Sequence, residues 1–309
     1  MLLNLPEIQI DQLQDPLFAE KDVEVYLQRE DLIHPIISGN KWRKLRYNIE
    51  KAQQLGKSSI LTFGGAHSNH LIATAEACSL AGLKSIGIVR GDEMETETLS
   101  NCRKRGMELH FVSREEYSMH DSKEYLNHYY EQFDYPYIIP QGGDNYYGTL
   151  GCTEILKASH LNPDIIFVGS GTGNTAAGLL ISLKENQHLF SVPALKGDFM
   201  HEEIQKSVMN FFQNEEVTEE YLNQLSVLSD YHFGGFAKSS EILVEFINQF
   251  YHLHQIQLDP IYTGKMMYAL YDQLRQNQIP EGSKILAIHT GGLQGIPGFE
   301  KRYGVRLFV

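Results

Sequence analysis

The sequence predicts an α/β fold, a largely parallel sheet flanked by helices. Two observations predict it. Strand-like and helix-like segments alternate along most of the chain, as repeated β–helix–β units require. Three polar, glycine-rich loops each follow a strand-like run, and in open α/β sheets ligands bind outside the carboxyl ends of the strands. No internal repeat, low-complexity tract or Pro/Gly-rich linker interrupts the alternation.

Val23–Leu27 reads as the first strand. A helix follows Ser38-Gly39-Asn40-Lys41. It carries Trp42, Leu45, Ile49 and Ala52 on one face at helical spacing, and Gly56 is suited to its C-terminal cap. Strands are expected at Ser59–Phe63, Ser85–Val89 and Glu108–Val112. Helices are expected at about Leu71–Leu80, Glu95–Lys104 and Ser122–Phe133. Asp164–Val168, Phe190–Leu195 and Lys284–His289 are further strands, and helices fill most of the remainder.

A chain of 309 residues can bury a large core in one or two domains. Charged residues are 21% and hydrophobic residues 42%, which is globular usage. The net charge of −13 argues against nucleic acid and anionic membrane surfaces as partners. No apolar run is long enough to span a bilayer. Met1–Glu7 lacks a basic region and a sustained apolar core, so no signal peptide is expected. Cys78, Cys102 and Cys152 are odd in number and scattered, and read as reduced thiols of a cytoplasmic protein.

Lys41 stands where a loop becomes a helix, a place that fixes a backbone and can aim a side chain into a cleft. A desolvated lysine sheds its proton more readily, and the neutral amine reacts with carbonyls. Alone it would more simply be a surface lysine. Ser170-Gly171-Thr172-Gly173-Asn174-Thr175 lies between an apolar run and a helix, a turn that aims N–H groups at an anion such as phosphate. It matches neither the P-loop nor the dinucleotide spacing. Gly64-Gly65-Ala66-His67-Ser68-Asn69-His70 offers a hydroxyl, an amide and two imidazoles at another helix start, and His289-Thr290-Gly291-Gly292 ends a third strand. Together these residues describe a pocket for one phosphorylated carbonyl compound.

His67 and His70 are three apart and could share a metal. No third ligand at zinc-site spacing and no CxxC accompany them, so no metal site is expected. His232 and His289 read equally well as satisfied wall or core groups.

Several of these stretches occur in one order: Ser38–Lys41 with Arg43-Lys44-Leu45, the Gly64–His70 loop, Gly142-Gly143-Asp144-Asn145, the Ser170–Thr175 loop, Tyr262-Thr263-Gly264-Lys265 and His289–Gly292. From about Tyr26 to Gly292 the chain resembles the D-cysteine desulfhydrase and 1-aminocyclopropane-1-carboxylate deaminase family of pyridoxal phosphate enzymes. The resemblance implies the tryptophan synthase β-like fold (fold type II): two open, largely parallel-sheet α/β domains with the active site between them. It implies a smaller domain over 45–148 and a larger cofactor-binding domain from 1–44 and 149–309. It also implies a homodimer acting on a small amino acid.

By the same resemblance Lys41 carries pyridoxal 5'-phosphate and moves protons at the substrate α-carbon. Asn69 meets the cofactor's phenolic oxygen. Gly171, Thr172, Gly173, Asn174 and Thr175 hold its phosphate, and Thr290 also binds it. Ser68 and Asn69 hold the substrate carboxylate. Ser68 and Tyr262 are candidates for proton transfer, and His67, Phe236 and Tyr262 for further substrate contact.

Family deaminases typically carry glutamate after the tyrosine and leucine after the histidine. Here those residues are Thr263 and Thr290, the desulfhydrase pattern. A carboxylate near the pyridine nitrogen deepens the electron sink, whereas a threonine gives a neutral hydrogen bond that suffices for a good β-leaving group. Two departures stand out. Phe236 replaces a family tyrosine near the substrate, and His67 stands where glutamine is common. The expected activity is therefore α,β-elimination from a D-amino acid such as D-cysteine. The alternatives are cyclopropane ring opening and a catalytically weak protein that binds pyridoxal phosphate.

Overall fold

The computed structural model describes residues 6–309, so most of the Met1–Glu7 segment lies outside the described residues. Ten strands form two sheets. They are β1 (Ile10–Leu13), β2 (Glu24–Gln28), β3 (Ser59–Gly65), β4 (Lys84–Arg90), β5 (Met107–Val112), β6 (Tyr137–Ile139), β7 (Ile165–Ser170), β8 (His188–Pro193), β9 (Leu225–Val227) and β10 (Lys284–Ile288). One sheet has the order β1-β2-β10-β7-β8-β9, the other β5-β4-β3-β6. Every pairing is parallel except that of β1 with β2. This is the expected largely parallel α/β architecture.

The apolar runs in the central strands are continuous because both faces are covered. In β7, Ile165 and Phe167 join one core, while Ile166 and Val168 join another on the opposite face. Ile285 and Ala287 of β10 pair with the first set, and Leu286 and Ile288 with the second. The four-stranded sheet is likewise two-sided, with Ile60 on one face and Leu61 and Phe63 on the other.

Three strands have no counterpart in the sequence reading: β1, β6 and β9. They have four, three and three residues and lie at sheet edges, too short to show a period. The strand expected at Phe190–Leu195 instead runs His188–Pro193. Pro193 has no N–H to give the ladder, and the last bond to β7 comes from the Ala194 N–H to Ser170 O at 2.9 Å.

The Asn40–Gln54 helix positions the site. Trp42, Leu45, Ile49 and Ala52 are buried against Ile60, Ala73 and Ala77 of the smaller sheet and its helix. Burial of each large apolar side chain contributes about 1.5–3 kcal/mol. The helix ends as expected at Gly56, whose φ of 65° lets Lys57 N–H reach Ala52 O at 3.0 Å and its own N–H reach Gln53 O at 3.0 Å. At the other end Arg43 forms a two-pronged pair with Glu30, both bonds 2.9 Å and both side chains fully buried. Removing one partner would strand a buried charge and cost about 3–5 kcal/mol. Glu30 O also accepts the Gly39 N–H at 2.9 Å, so one residue holds the turn that leads into Lys41.

Candidate active site

Lys41 lies in the first turn of that helix. The approach is tight: a Cβ on Gly39 would come within 1.9 Å of Thr290 O, and the φ of 65° there also favours glycine. Asn40 N–H bonds Thr290 O at 3.3 Å, and Asn40 Nδ2 bonds Thr175 Oγ1 at 2.9 Å. Gly39 and Asn40 therefore stitch the Thr290 loop, the Lys41 helix and the glycine-rich loop after β7 into one wall.

Lys41 keeps partial exposure, but loss of water lowers its pKa to about 7, with the nearby Lys44 charge adding to the shift. At neutral pH much of the amine is unprotonated and nucleophilic. Lys44, one turn on, is buried, and its own pKa is lowered mainly by desolvation. Its Nζ donates to Gly142 O at 3.1 Å. A Cβ on Gly142 would lie 3.2 Å from Thr172 Cγ2, so the Lys44 ammonium sits beside the glycine-rich loop. Desolvation raises the pKa of Asp144, with Lys44 opposing the shift.

The loop after β7 fits a phosphate. The Asn174–Ile181 helix begins at Gly173, φ 81°, with no side chain capping it. Its first N–H groups are thus free for an anion. A Cβ on Gly171 would sit 3.2 Å from Tyr262 Cε1, so the Tyr262 ring packs on this loop. Burial, then Asp259, pushes the Tyr262 phenol well above its usual pKa, leaving it a neutral hydrogen-bond donor rather than a base. Phe236, 48% exposed, meets the Tyr262 ring edge-on at 6.1 Å.

The Gly64–His70 loop closes the other side. Ser68 caps the Asn69–Ala81 helix, its Oγ accepting from Leu71 N at 3.3 Å. The Ser68 O–H remains able to donate. Among the described residues, the N–H groups of Asn69 and His70 and the Asn69 side chain have no protein partner. His70 is buried, and Nε2 meets Thr62 Oγ1 at 2.9 Å. Thr62 already donates to Ile139 O at 2.8 Å, so His70 Nε2 carries the proton and donates. Desolvation, then Lys41 and Lys44, keep this imidazole neutral. A Cβ on Gly143 would touch both Lys44 Cβ and His70 Cε1, at 3.2 and 3.3 Å, which links this loop to the lysines.

The structure thus brings Lys41, Thr290, Gly171–Thr175, Tyr262 and Phe236 to one wall, with the Ser68-Asn69 helix start joined through His70. His67, just before Ser68, is exposed and lies against Gly298 of the Ile296–Tyr303 helix. His289 is a satisfied core group, with Nε2 on Gln257 O at 2.7 Å. Lys44, Asn40 and Asp259 are site residues to which the sequence reading assigned no role. Lys44 was legible in principle, because a residue three after Lys41 shares its helix face.

The class of protein follows from this geometry and from its relatives. The profile of the pyridoxal-phosphate dependent enzymes matches residues 7–291, and the chain belongs to that family. A Pyrococcus horikoshii protein named putative 1-aminocyclopropane-1-carboxylate deaminase is 32% identical over 96% of this chain and 94% of its own length. The mitochondrial bifunctional D-cysteine desulfhydrase/1-aminocyclopropane-1-carboxylate deaminase of Arabidopsis thaliana is 30% identical, over 88% of this chain and 73% of that protein. A D-cysteine desulfhydrase of Serratia proteamaculans is 28% identical, over 87% and 86%. Among solved structures, an ACC deaminase homologue superposes with a TM-score of 0.82 at 28% identity, over 97% of this chain and 94% of that one. The O-acetylserine dependent cystathionine β-synthase of Helicobacter pylori shares the fold, with a TM-score of 0.67 at 16% identity over 95% of each chain. The protein is a pyridoxal phosphate-dependent lyase of the deaminase/desulfhydrase type with the type II fold. No helix of the described residues is long and apolar enough to cross a membrane.

Proposed function

We propose that the protein catalyses α,β-elimination from a D-amino acid such as D-cysteine, which with water yields pyruvate, ammonia and sulfide. The observation that supports this most is the neutral setting of Thr290. Its hydroxyl has no protein partner among the described residues. Asp259, the carboxylate beside Gly292, is committed to the start of the Thr263–Arg275 helix. Position 263 holds a hydroxyl bound to that same Asp259. A neutral hydrogen bond at the cofactor's ring nitrogen suits departure of a good β-leaving group.

Bound pyridoxal phosphate supplies the electron sink for charge developing at the α-carbon. The chain's own groups do the rest. Lys41, unprotonated above about pH 7, is the group that would hold the cofactor's aldehyde carbon, and as a free amine it would carry the α-proton. Lys44 and the N–H groups of the 171–175 loop would hold the phosphate, and Asn69 would meet the phenolic oxygen. The free N–H groups of Asn69 and His70, with the Ser68 hydroxyl, orient the substrate carboxylate. Tyr262 donates a hydrogen bond toward the reacting atoms, and Phe236 walls the cleft without a hydroxyl of its own. This reading includes two separate domains over 45–148 and over 1–44 with 149–309, and a cytoplasmic homodimer. Three buried free thiols support a reducing compartment, and sedimentation tests the dimer.

The second reading is ring opening of 1-aminocyclopropane-1-carboxylate to 2-oxobutanoate and ammonia, favoured by the name of the Pyrococcus relative. One assay separates them. The loaded enzyme is given D-cysteine, L-cysteine, β-chloro-D-alanine and 1-aminocyclopropane-1-carboxylate, and the keto acids are identified. Pyruvate from the D-compounds supports elimination. Ring opening as efficient as elimination overturns it, and no keto acid from any compound leaves a cofactor-binding protein.

A further inference from the structure

We propose that Lys265 is a positioning residue: its buried ammonium clamps a strained loop, residues 232–237, and so sets Phe236 against Tyr262 as a wall of the substrate cleft. The inference rests on the cleft assignment above and adds a residue that none of it uses.

Lys265 is fully buried in the first turn of the Thr263–Arg275 helix. Its Nζ donates to Ala194 O at 3.2 Å, His232 O at 2.8 Å and Gly235 O at 2.9 Å. Three N–H groups thus meet three carbonyls, and no carboxylate pairs with it among the described residues. Burial lowers its pKa to about 8, so the amine is still mostly protonated at neutral pH. Charge-assisted bonds to carbonyls are what keep a buried ammonium tolerable.

Two of the three carbonyls belong to the loop, and the loop needs holding. Phe233 and Ala237 have φ of 50° and 51°, a left-handed conformation that is uncommon without glycine and costly for a side chain as large as Phe233. The ties converge from two helices. Lys265 takes the backbone at His232 and Gly235. Tyr268, three residues along the same helix face, meets the Phe233 ring edge-on at 4.9 Å. Tyr303 donates to Ala237 O at 2.7 Å. Phe236 lies between these ties yet remains 48% exposed, turned to the Tyr262 ring. Tyr262 precedes the same helix, so one rigid element carries the phenol and fixes the loop opposite it. A methionine at 265 would fill similar space, leave Ala194 O without a partner and leave the loop's His232 O and Gly235 O only their local backbone donors, the Gly235 and Lys238 N–H groups at 3.0 and 3.1 Å.

The test uses holoenzyme of the parent, Lys265→Met and Lys265→Gln. The first readout is chymotryptic cleavage after Phe236, which needs no turnover. We expect cleavage about tenfold faster in Lys265→Met and intermediate in Lys265→Gln, which keeps two N–H donors, with cofactor absorbance unchanged. The KM for the amino-acid substrate should rise more than kcat falls. In Lys265→Ala, propylammonium replaces the deleted atoms and should slow cleavage again, whereas 1-propanol, of similar size and uncharged, should not. Parent-like cleavage and KM in the folded variants, or equal rescue by the alcohol, would overturn the clamp. If Lys265→Met does not fold, Lys265→Gln carries the comparison. Failure of the parent to release pyruvate would sink the elimination reading and leave the cleavage result standing.

Discussion

Thr263 and Asp259 are locked to each other. The threonine hydroxyl donates to Asp259 Oδ2 at 2.7 Å and accepts from the Asp259 N–H at 2.8 Å. The same carboxylate takes the N–H groups of Ile261, Tyr262 and Thr263. One buried acid therefore holds the start of the helix that bears Tyr262 and Lys265. Asp259→Asn removes the charge from these bonds and turns one acceptor into a donor facing N–H groups. We expect a stability loss of about 1–3 kcal/mol per group left unpaired, read as a lower urea midpoint. An unchanged midpoint would show that the cap is dispensable.

That lock also changes the route to ring opening. Thr263→Glu alone would crowd a second carboxylate against Asp259 in a dry site, where both cannot stay ionised. We expect it to destabilise the protein rather than retune it. Thr263→Glu with Asp259→Asn and Thr290→Leu should raise 2-oxobutanoate relative to pyruvate. A shift of about 2 kcal/mol between the two transition states changes that ratio more than tenfold. If the ratio does not move, Thr263 and Thr290 do not set the reaction.

Borohydride treatment of the loaded enzyme should fix the cofactor irreversibly on Lys41, found by peptide mapping. Lys41→Ala should abolish both the label and nearly all turnover. A label on Lys44 or Lys265 would overturn the assignment.

The lowered pKa of Lys41, about 7, has a definite sign in pH. The ammonium is unreactive, so the rate at which the cofactor-free protein takes up pyridoxal phosphate should climb about tenfold per pH unit below 7 and level off above it. A climb that continued toward pH 10 would mean an ordinary, hydrated lysine.

The phosphate cradle makes two substitutions informative. Gly173→Val should weaken cofactor affinity, since φ is 81° there and the new Cβ would press on Ile204 Cγ1 at 3.2 Å. Lys44→Met should weaken it too, and the loss should exceed that from Thr172→Val, because the ammonium is the charged group beside the loop. Equilibrium dialysis of pyridoxal phosphate measures both. Full affinity in Lys44→Met would return phosphate binding to the N–H groups alone.

The long strands and the amphipathic helix after Lys41 were legible because their signal is local. Ile60, Leu61 and Phe63 need only a two-faced burial, and Trp42 to Ala52 only a 3.6-residue period. β1, β6 and β9 were not, because edge strands of three or four residues owe their pairing to a neighbour rather than to a pattern. The site was legible as motifs but not as contacts. The Thr263 motif gives no sign that its hydroxyl is bound to Asp259, four residues earlier and outside the motif. His67 and His70 look alike in the sequence, yet the helix start turns one outward and buries the other.

The sequence by itself determined the α/β class, the candidate lysine and the glycine-rich loops, because strand and helix periods and φ-permissive turns are written in neighbouring residues. Only the tertiary structure decided which loops share a wall, why Lys41 loses its proton near neutrality, and what Lys265 and Asp259 hold. Those properties depend on burial and on contacts between residues far apart in sequence. His232 and Lys265 are 33 positions apart and meet at 2.8 Å only after two helices and a strained loop have packed. Desolvation and hydrogen-bond geometry arise at that stage, which no local pattern records.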